Sequence, residues 1–99
     1  MNVLKKKDGS HLTIALEGRL DTTTSPQLEH ELSNALGGID ELVFDLEKLD
    51  YISSAGLRVL LSTQKIMNRQ GDMEICNVKP EIMEIFEVTG FVDILTIRE

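Results

Sequence analysis

The run Asp50-Tyr-Ile-Ser-Ser-Ala-Gly-Leu57 constrains this chain more than any other stretch. Before it, Leu42-Val-Phe-Asp-Leu46 is an apolar segment that reads as a buried strand; after it, Arg58 to Arg69 reads as a helix. Ser53 and Ser54 therefore fall on a strand-to-helix turn, at or beside the helix N-cap. Serine suits that position because its hydroxyl accepts a hydrogen bond from a backbone N–H that has no partner within the helix. A hydroxyl there is also exposed, and the helix dipole tolerates added negative charge beside it. It is a natural place for a phosphoryl group. Two ordinary capping serines satisfy the same pattern, so the turn alone does not assign a function.

The remaining elements fall around this unit in a regular order. Val3–Lys6 and Leu12–Leu16 read as strands joined at Asp8-Gly9, where Gly takes positive φ at little cost. Leu12, Ile14 and Leu16 alternate with Thr13 and Ala15, the period of a half-buried strand. Gly18 is expected to end that strand. Thr22-Thr-Thr-Ser-Pro26 reads as a helix entry with Ser25 as cap, and Leu28, Leu32, Ala35 and Leu36 recur at helical spacing up to Gly37-Gly38. A third strand is expected at Glu41–Leu46, its Leu-Val-Phe centre suited to an interior position covered on both faces. The second helix, Ala55–Arg69, stops at Gly71. Strand four spans Asp72–Asn77, Pro80 opens a helix over Glu81–Val88 that Gly90 closes, and Ile94–Ile97 reads as a fifth strand. The resulting β-β-α-β-α-β-α-β order predicts an α/β fold, with three helices packed on a mixed sheet of about five strands and right-handed crossovers between parallel neighbours.

The second helix has two candidate faces. At about 100° per residue, Val59, Leu60, Thr63, Ile66 and Met67 share the arc expected to meet the sheet. Leu57 and Leu61 lie together off that arc, among Arg58, Gln64, Lys65 and Asn68. They suit a docking surface one turn from Ser54, or else pack beneath the third helix with Ile82, Ile85 and Phe86.

Composition removes several function classes. The 99 residues fit one domain, expected to span 1–99. No apolar stretch approaches the ~20 residues of a membrane span, and Met1-Asn-Val-Leu-Lys-Lys-Lys7 has the wrong order for a secretory signal, so a cytoplasmic protein is expected. A net charge of −7 disfavours nucleic acid and anionic lipid as partners. Cys76 is the only cysteine, which excludes an intrachain disulfide, and no adjacent Lys, Arg or His would stabilise its thiolate. His11 and His30 lack the spacing of a metal site, so neither metal nor cofactor is expected. A serine hydrolase would need Gly two residues before its nucleophile, where this chain has Ile52 before Ser54. No enzyme activity is expected.

The segment Leu49-Asp-Tyr-Ile-Ser-Ser-Ala-Gly-Leu-Arg-Val-Leu-Leu61 resembles the signature of the STAS domain, in particular the bacterial anti-sigma factor antagonists. Glu17-Gly-Arg-Leu-Asp21 resembles the family's Gly-x-Leu-Asp turn, Leu42-Val-Phe-Asp-Leu46 its central strand, and Phe86-Glu-Val-Thr-Gly-Phe91 its Phe-x-x-x-Gly-Phe/Leu segment. The resemblance implies the STAS fold, which usually carries one more helix at the C-terminus; that helix is expected to be missing here. It implies phosphorylation of Ser54, with Ser53, at a position where the family most often has Asp, as the second candidate. By the same resemblance the partner-binding residues are Asp21, Ser53, Ser54, Gly56, Leu57, Arg58 and Leu61. The partners implied are an anti-sigma factor that is also a serine kinase, and a phosphatase. The protein alone is expected to be a monomer. The alternative is a STAS scaffold that is not phosphorylated.

Overall fold

The computed structural model describes residues 1–98. Its elements run β1 (Asn2–Asp8), β2 (His11–Leu20), α1 (Ser25–Ser33), β3 (Glu41–Ile52), α2 (Ser54–Met67), β4 (Asp72–Cys76) and α3 (Pro80–Val88), followed by a short 3-10 turn at Phe91–Asp93. The sheet is mixed, in the order β1-β2-β3-β4, with β1 antiparallel to β2 and the other two pairs parallel. Gly9, at φ 63°, makes the tight connection between β1 and β2. The helices pack on one face of the sheet, and Leu16, Leu20, Leu28, Phe44, Leu46, Leu60, Met67, Ile75 and Phe86 form one core cluster there.

Four expectations are corrected. The first concerns β3, which runs six residues past Leu46. Ala15 faces Asp45 and Glu17 faces Lys48; then Gly18 faces Leu49 and Arg19 faces Tyr51, so β3 twice contributes one residue more than β2. Two such bulges shift the side-chain phase, so that Leu46, Leu49 and Ile52 all turn inward at a spacing of three. A strict period of two cannot follow a strand through that shift. For the same reason Gly18, at φ 103°, lies within β2 and does not end it.

Second, only one face of β3 is deeply covered: Val43 and Asp45 are half-buried while Leu42, Phe44 and Leu46 are fully inside. Third, α1 stops at Ser33, and its N-cap is Thr24 rather than Ser25. Thr24 does not cap with its side chain, because its hydroxyl donates to the Arg19 carbonyl at 2.7 Å and accepts from the Asp21 N–H at 2.9 Å.

Fourth, among the described residues the fifth strand is reduced to one bridge, Ile75 to Ile97. The Ile94 and Leu95 amides bond back to the Phe91 carbonyl, which keeps them in the turn. Only the next residues reach the edge of β4, where the Ile75 N–H donates to the Thr96 carbonyl at 2.9 Å and the Arg98 N–H to the Ile75 carbonyl at 2.7 Å.

Candidate functional site

Parallel β2 and β3 end side by side at Leu20 and Ile52, and the candidate site is built on the two turns that leave them. The Ser53 N–H donates to the Leu20 carbonyl at 2.9 Å, which makes it the last rung between the strands. Ser53 is extended (φ −99°, ψ 176°) and is the N-cap of α2. Its Oγ accepts from the Gly56 N–H at 3.5 Å, and its carbonyl from the Leu57 N–H at 2.9 Å. Ser54 is the first residue of the helix and is exposed. The two serines therefore divide the work: Ser53 closes the helix end, and Ser54 presents a free hydroxyl where the helix dipole favours an anion.

Gly56 is buried at this junction. A Cβ there would lie 2.7 Å from Leu20 Cγ and 2.8 Å from Ile52 Cγ1, so glycine is what lets the first turn of α2 rest on the strand ends. Gly56→Ala is expected to destabilise the fold by about 1–3 kcal/mol through overpacking, read as a lower midpoint of urea unfolding. An unchanged midpoint would show that the turn can move aside freely.

The neighbouring turn is held by Asp21. One carboxylate oxygen accepts from the Thr23 N–H at 2.9 Å and from the Thr24 N–H at 3.1 Å, and the other lies 3.7 Å from Arg19 Nε. The Thr24 amide, foremost, holds the Asp21 carboxyl below its usual value of 3.8; partial burial opposes this, and the Thr23 amide, the Thr24 hydroxyl and Arg19 add to it. A carboxyl depressed in the folded state adds stability that is present above its unfolded value and is lost as pH falls through the lower folded value. An NMR titration should therefore place the Asp21 midpoint under 3.8, and Asp21→Asn should remove that acid-side dependence. A midpoint at or above the usual value would mean that the turn opens in solution.

Two features of this end were not anticipated from the sequence. Arg19 stacks over the Tyr51 ring at 4.2 Å from its centroid, and Lys79 Nζ bonds Asp50 Oδ1 at 2.7 Å, tying the end of β3 to the start of α3. Both join residues distant in sequence, on strands or caps whose positions only the bulged β3 determines.

The expected site residues do not all face outward. Ser54 and Arg58 are exposed, and Asp21, Ser53 and Leu61 are half-buried. Leu57 is only 7% exposed and belongs to the core cluster, so its side chain is not open to a partner. Like Gly56, it shapes the turn from behind and offers no surface. Gln64 is buried on the same side. Ile66, expected inward, is 46% exposed. It borders a groove of about 320 Å³ between α1 and α2 with Leu32, Leu36 and Val59, because α1 ends at Ser33 and leaves that side of α2 open.

The family model of the STAS domain matches residues 2–99. The chain belongs to the STAS family. Among relatives of this STAS chain, BtrV of Bordetella bronchiseptica is 41% identical over 96 residues, which cover 95% of this chain and 82% of BtrV. The anti-sigma-B factor antagonist of Listeria monocytogenes is 30% identical over 98 residues, 96% of this chain and 85% of the relative. The Bacillus cell fate determinant SpoIIAA, solved in its phosphorylated form, has the same fold with a TM-score of 0.76 at 19% identity, over 99% of this chain and 92% of SpoIIAA. The four-stranded mixed sheet carrying three helices is thus a STAS fold. No helix among the described residues is long and apolar enough to cross a membrane.

Proposed function

We propose that this STAS domain is an anti-sigma factor antagonist of the cytoplasm, and that phosphorylation of Ser54 switches it off. The unphosphorylated form binds an anti-sigma factor that is also a serine kinase, and a sigma factor is released. The kinase then phosphorylates Ser54, the contact is lost, and a phosphatase restores it. The observation that carries this reading is the exposed Ser54 hydroxyl at the first position of α2, with Ser53 supplying the cap beside it. A kinase can reach such a hydroxyl without unfolding anything, and a phosphoryl group there meets the favourable end of the helix dipole. The Listeria relative named as an anti-sigma-B factor antagonist, and SpoIIAA solved in a phosphorylated form, support the same reading.

The test is capture from lysate of the parent cell with wild type, Ser54→Ala and Ser54→Asp as baits, followed by incubation of the captured kinase with ATP. A kinase-type partner should be held by wild type and Ser54→Ala and lost with Ser54→Asp, and mass spectrometry should place phosphate on Ser54. Labelling confined to Ser53 would move the acceptor by one residue. Equal capture by all three baits without phosphorylation would favour a STAS scaffold.

A further inference from the structure

From Ser53 to Gln70 the chain has no Asp or Glu, although it carries 17 elsewhere and a net charge of −7. Three of its ten Lys and Arg residues lie in that stretch: Arg58, Lys65 and Arg69. Counted from Ser54, Arg58 and Lys65 come 4 and 11 residues later, which at about 100° per residue sets both within roughly 40° of it. This is the side of α2 opposite the buried Leu60, Thr63 and Met67. Arg69 follows in the turn that closes the helix. All three cations are exposed, and among the described residues none is in an ion pair. Lys5, Arg19, Lys48, Lys79 and Arg98, by contrast, each lie against a carboxylate, and the other two exposed cations without an ion pair among the described residues, Lys6 and Lys7, sit on the edge strand β1. An acidic protein has thus kept one helix face free of acid, beginning at the candidate phosphoacceptor.

We propose that this face, Arg58–Lys65–Arg69, docks an acidic patch of the partner protein and extends the contact from the Ser54 turn along α2. The inference rests on the reading of Ser54 as the switch and names the chemistry of the surface that meets it. Unpaired exposed cations attract carboxylates without first giving up a partner, and they raise the rate of encounter. A nucleic acid or an anionic bilayer is a worse occupant. Either presents negative charge well beyond the width of one helix, so it would meet the surrounding carboxylates within a Debye length of about 8–10 Å. An acidic patch as narrow as the helix face avoids them. Ser54 and Arg58 are also spaced i, i+4, so a phosphoryl group on Ser54 comes within reach of the guanidinium. Phosphorylation would then withdraw one docking cation as well as repel the partner's acids.

The test uses the purified anti-sigma factor that wild type captures, titrated calorimetrically against wild type, Ser54→Asp, the double variant Lys65→Glu/Arg69→Glu and its neutral counterpart Lys65→Gln/Arg69→Gln. Lys65 lies about 16 Å along the helix from Ser54 and Arg69 in the turn beyond the helix end, so their effect is separable from that of the Ser54 turn. The double reversal should weaken binding about tenfold or more at low salt and much less at high salt, with the neutral pair intermediate. An unchanged affinity for the double reversal, with Ser54→Asp still weakened, would overturn this inference and leave the Ser54 reading standing. Weakening by the reversal alone would uphold the cationic face and remove the switch. Wild type and the double reversal are also titrated with poly-glutamate, duplex DNA and anionic vesicles. Loss of poly-glutamate binding on reversal supports the assignment, and wild-type preference for DNA or vesicles overturns it.

Discussion

Phosphorylation of Ser54 is expected to weaken partner binding by roughly ten- to a thousandfold without loosening the fold. The added charge is about −1.5 to −2. At about 8 Å from a partner carboxylate, a charge of −2 costs on the order of 1–4 kcal/mol, between the effective dielectric of water and that of a protein surface. Each 1.4 kcal/mol is about tenfold in affinity, and desolvating the phosphate at a close interface adds to the penalty. Within the domain the sign is opposite. The first turn of α2 holds no acidic side chain and its N–H groups point at the new charge, so the phosphate gains about 0.3–1 kcal/mol. Ser54→Asp carries half the charge and should weaken binding by a few-fold to about thirtyfold. Its thermal midpoint should equal or slightly exceed that of wild type. Calorimetry of binding and of unfolding on the same samples reads both quantities. A Ser54→Asp protein that binds as wild type does, or one that loses affinity only because it unfolds, would contradict the mechanism.

Gly71→Ala is expected to destabilise the fold more than any single change at the site. A Cβ at Gly71 would lie 1.9 Å from the Asp40 carbonyl oxygen and 2.6 Å from its carbon, far inside contact distance, with backbone on both sides. No rotamer relieves that clash, so the chain itself must move. The Gly71 N–H bonds the Met67 carbonyl at 2.7 Å, and the Asp72 N–H bonds the same Asp40 carbonyl at 2.9 Å. Displacing them disturbs both the end of α2 and the first rung between β3 and β4, Glu41 to Asp72. A cost on the order of 3–5 kcal/mol is a large share of the ~5–15 kcal/mol that holds a small domain. For a chain of this length it should lower the thermal midpoint by about 12 °C or more. A fall of only a few degrees would mean that the loop after α1 yields easily.

Much of the architecture is local in origin, and so was readable from residues alone. The alternation of Leu12, Ile14 and Leu16 sets β2, and Pro80 and Gly90 bracket α3. The motif from Leu49 to Leu61 located the turn at Ser53 and Ser54, and the structure decided that Ser53 is the cap and Ser54 the exposed first residue of α2. The failures are non-local. Ile94–Ile97 has strand-like composition, yet a helical turn anchored at Phe91 takes two of its amides before the chain reaches β4. Ile66 lies on the apolar arc of α2, yet is 46% exposed at the edge of a groove because α1 is shorter than its leucine spacing suggested.

Residue order by itself determined where the first four strands and three helices lie, though not all their ends, where the Ser-Ser turn falls and the family to which the chain belongs, because periodicity, caps and turn residues act within a few positions of one another. Tertiary structure decided which side chains around that turn meet solvent. Two bulges rotated the end of β3, which placed Arg19 against Tyr51 and left Leu57 and Gly56 inside while Ser54 and Arg58 remained outside. Burial depends on what packs opposite, and what packs opposite comes from distant parts of the chain.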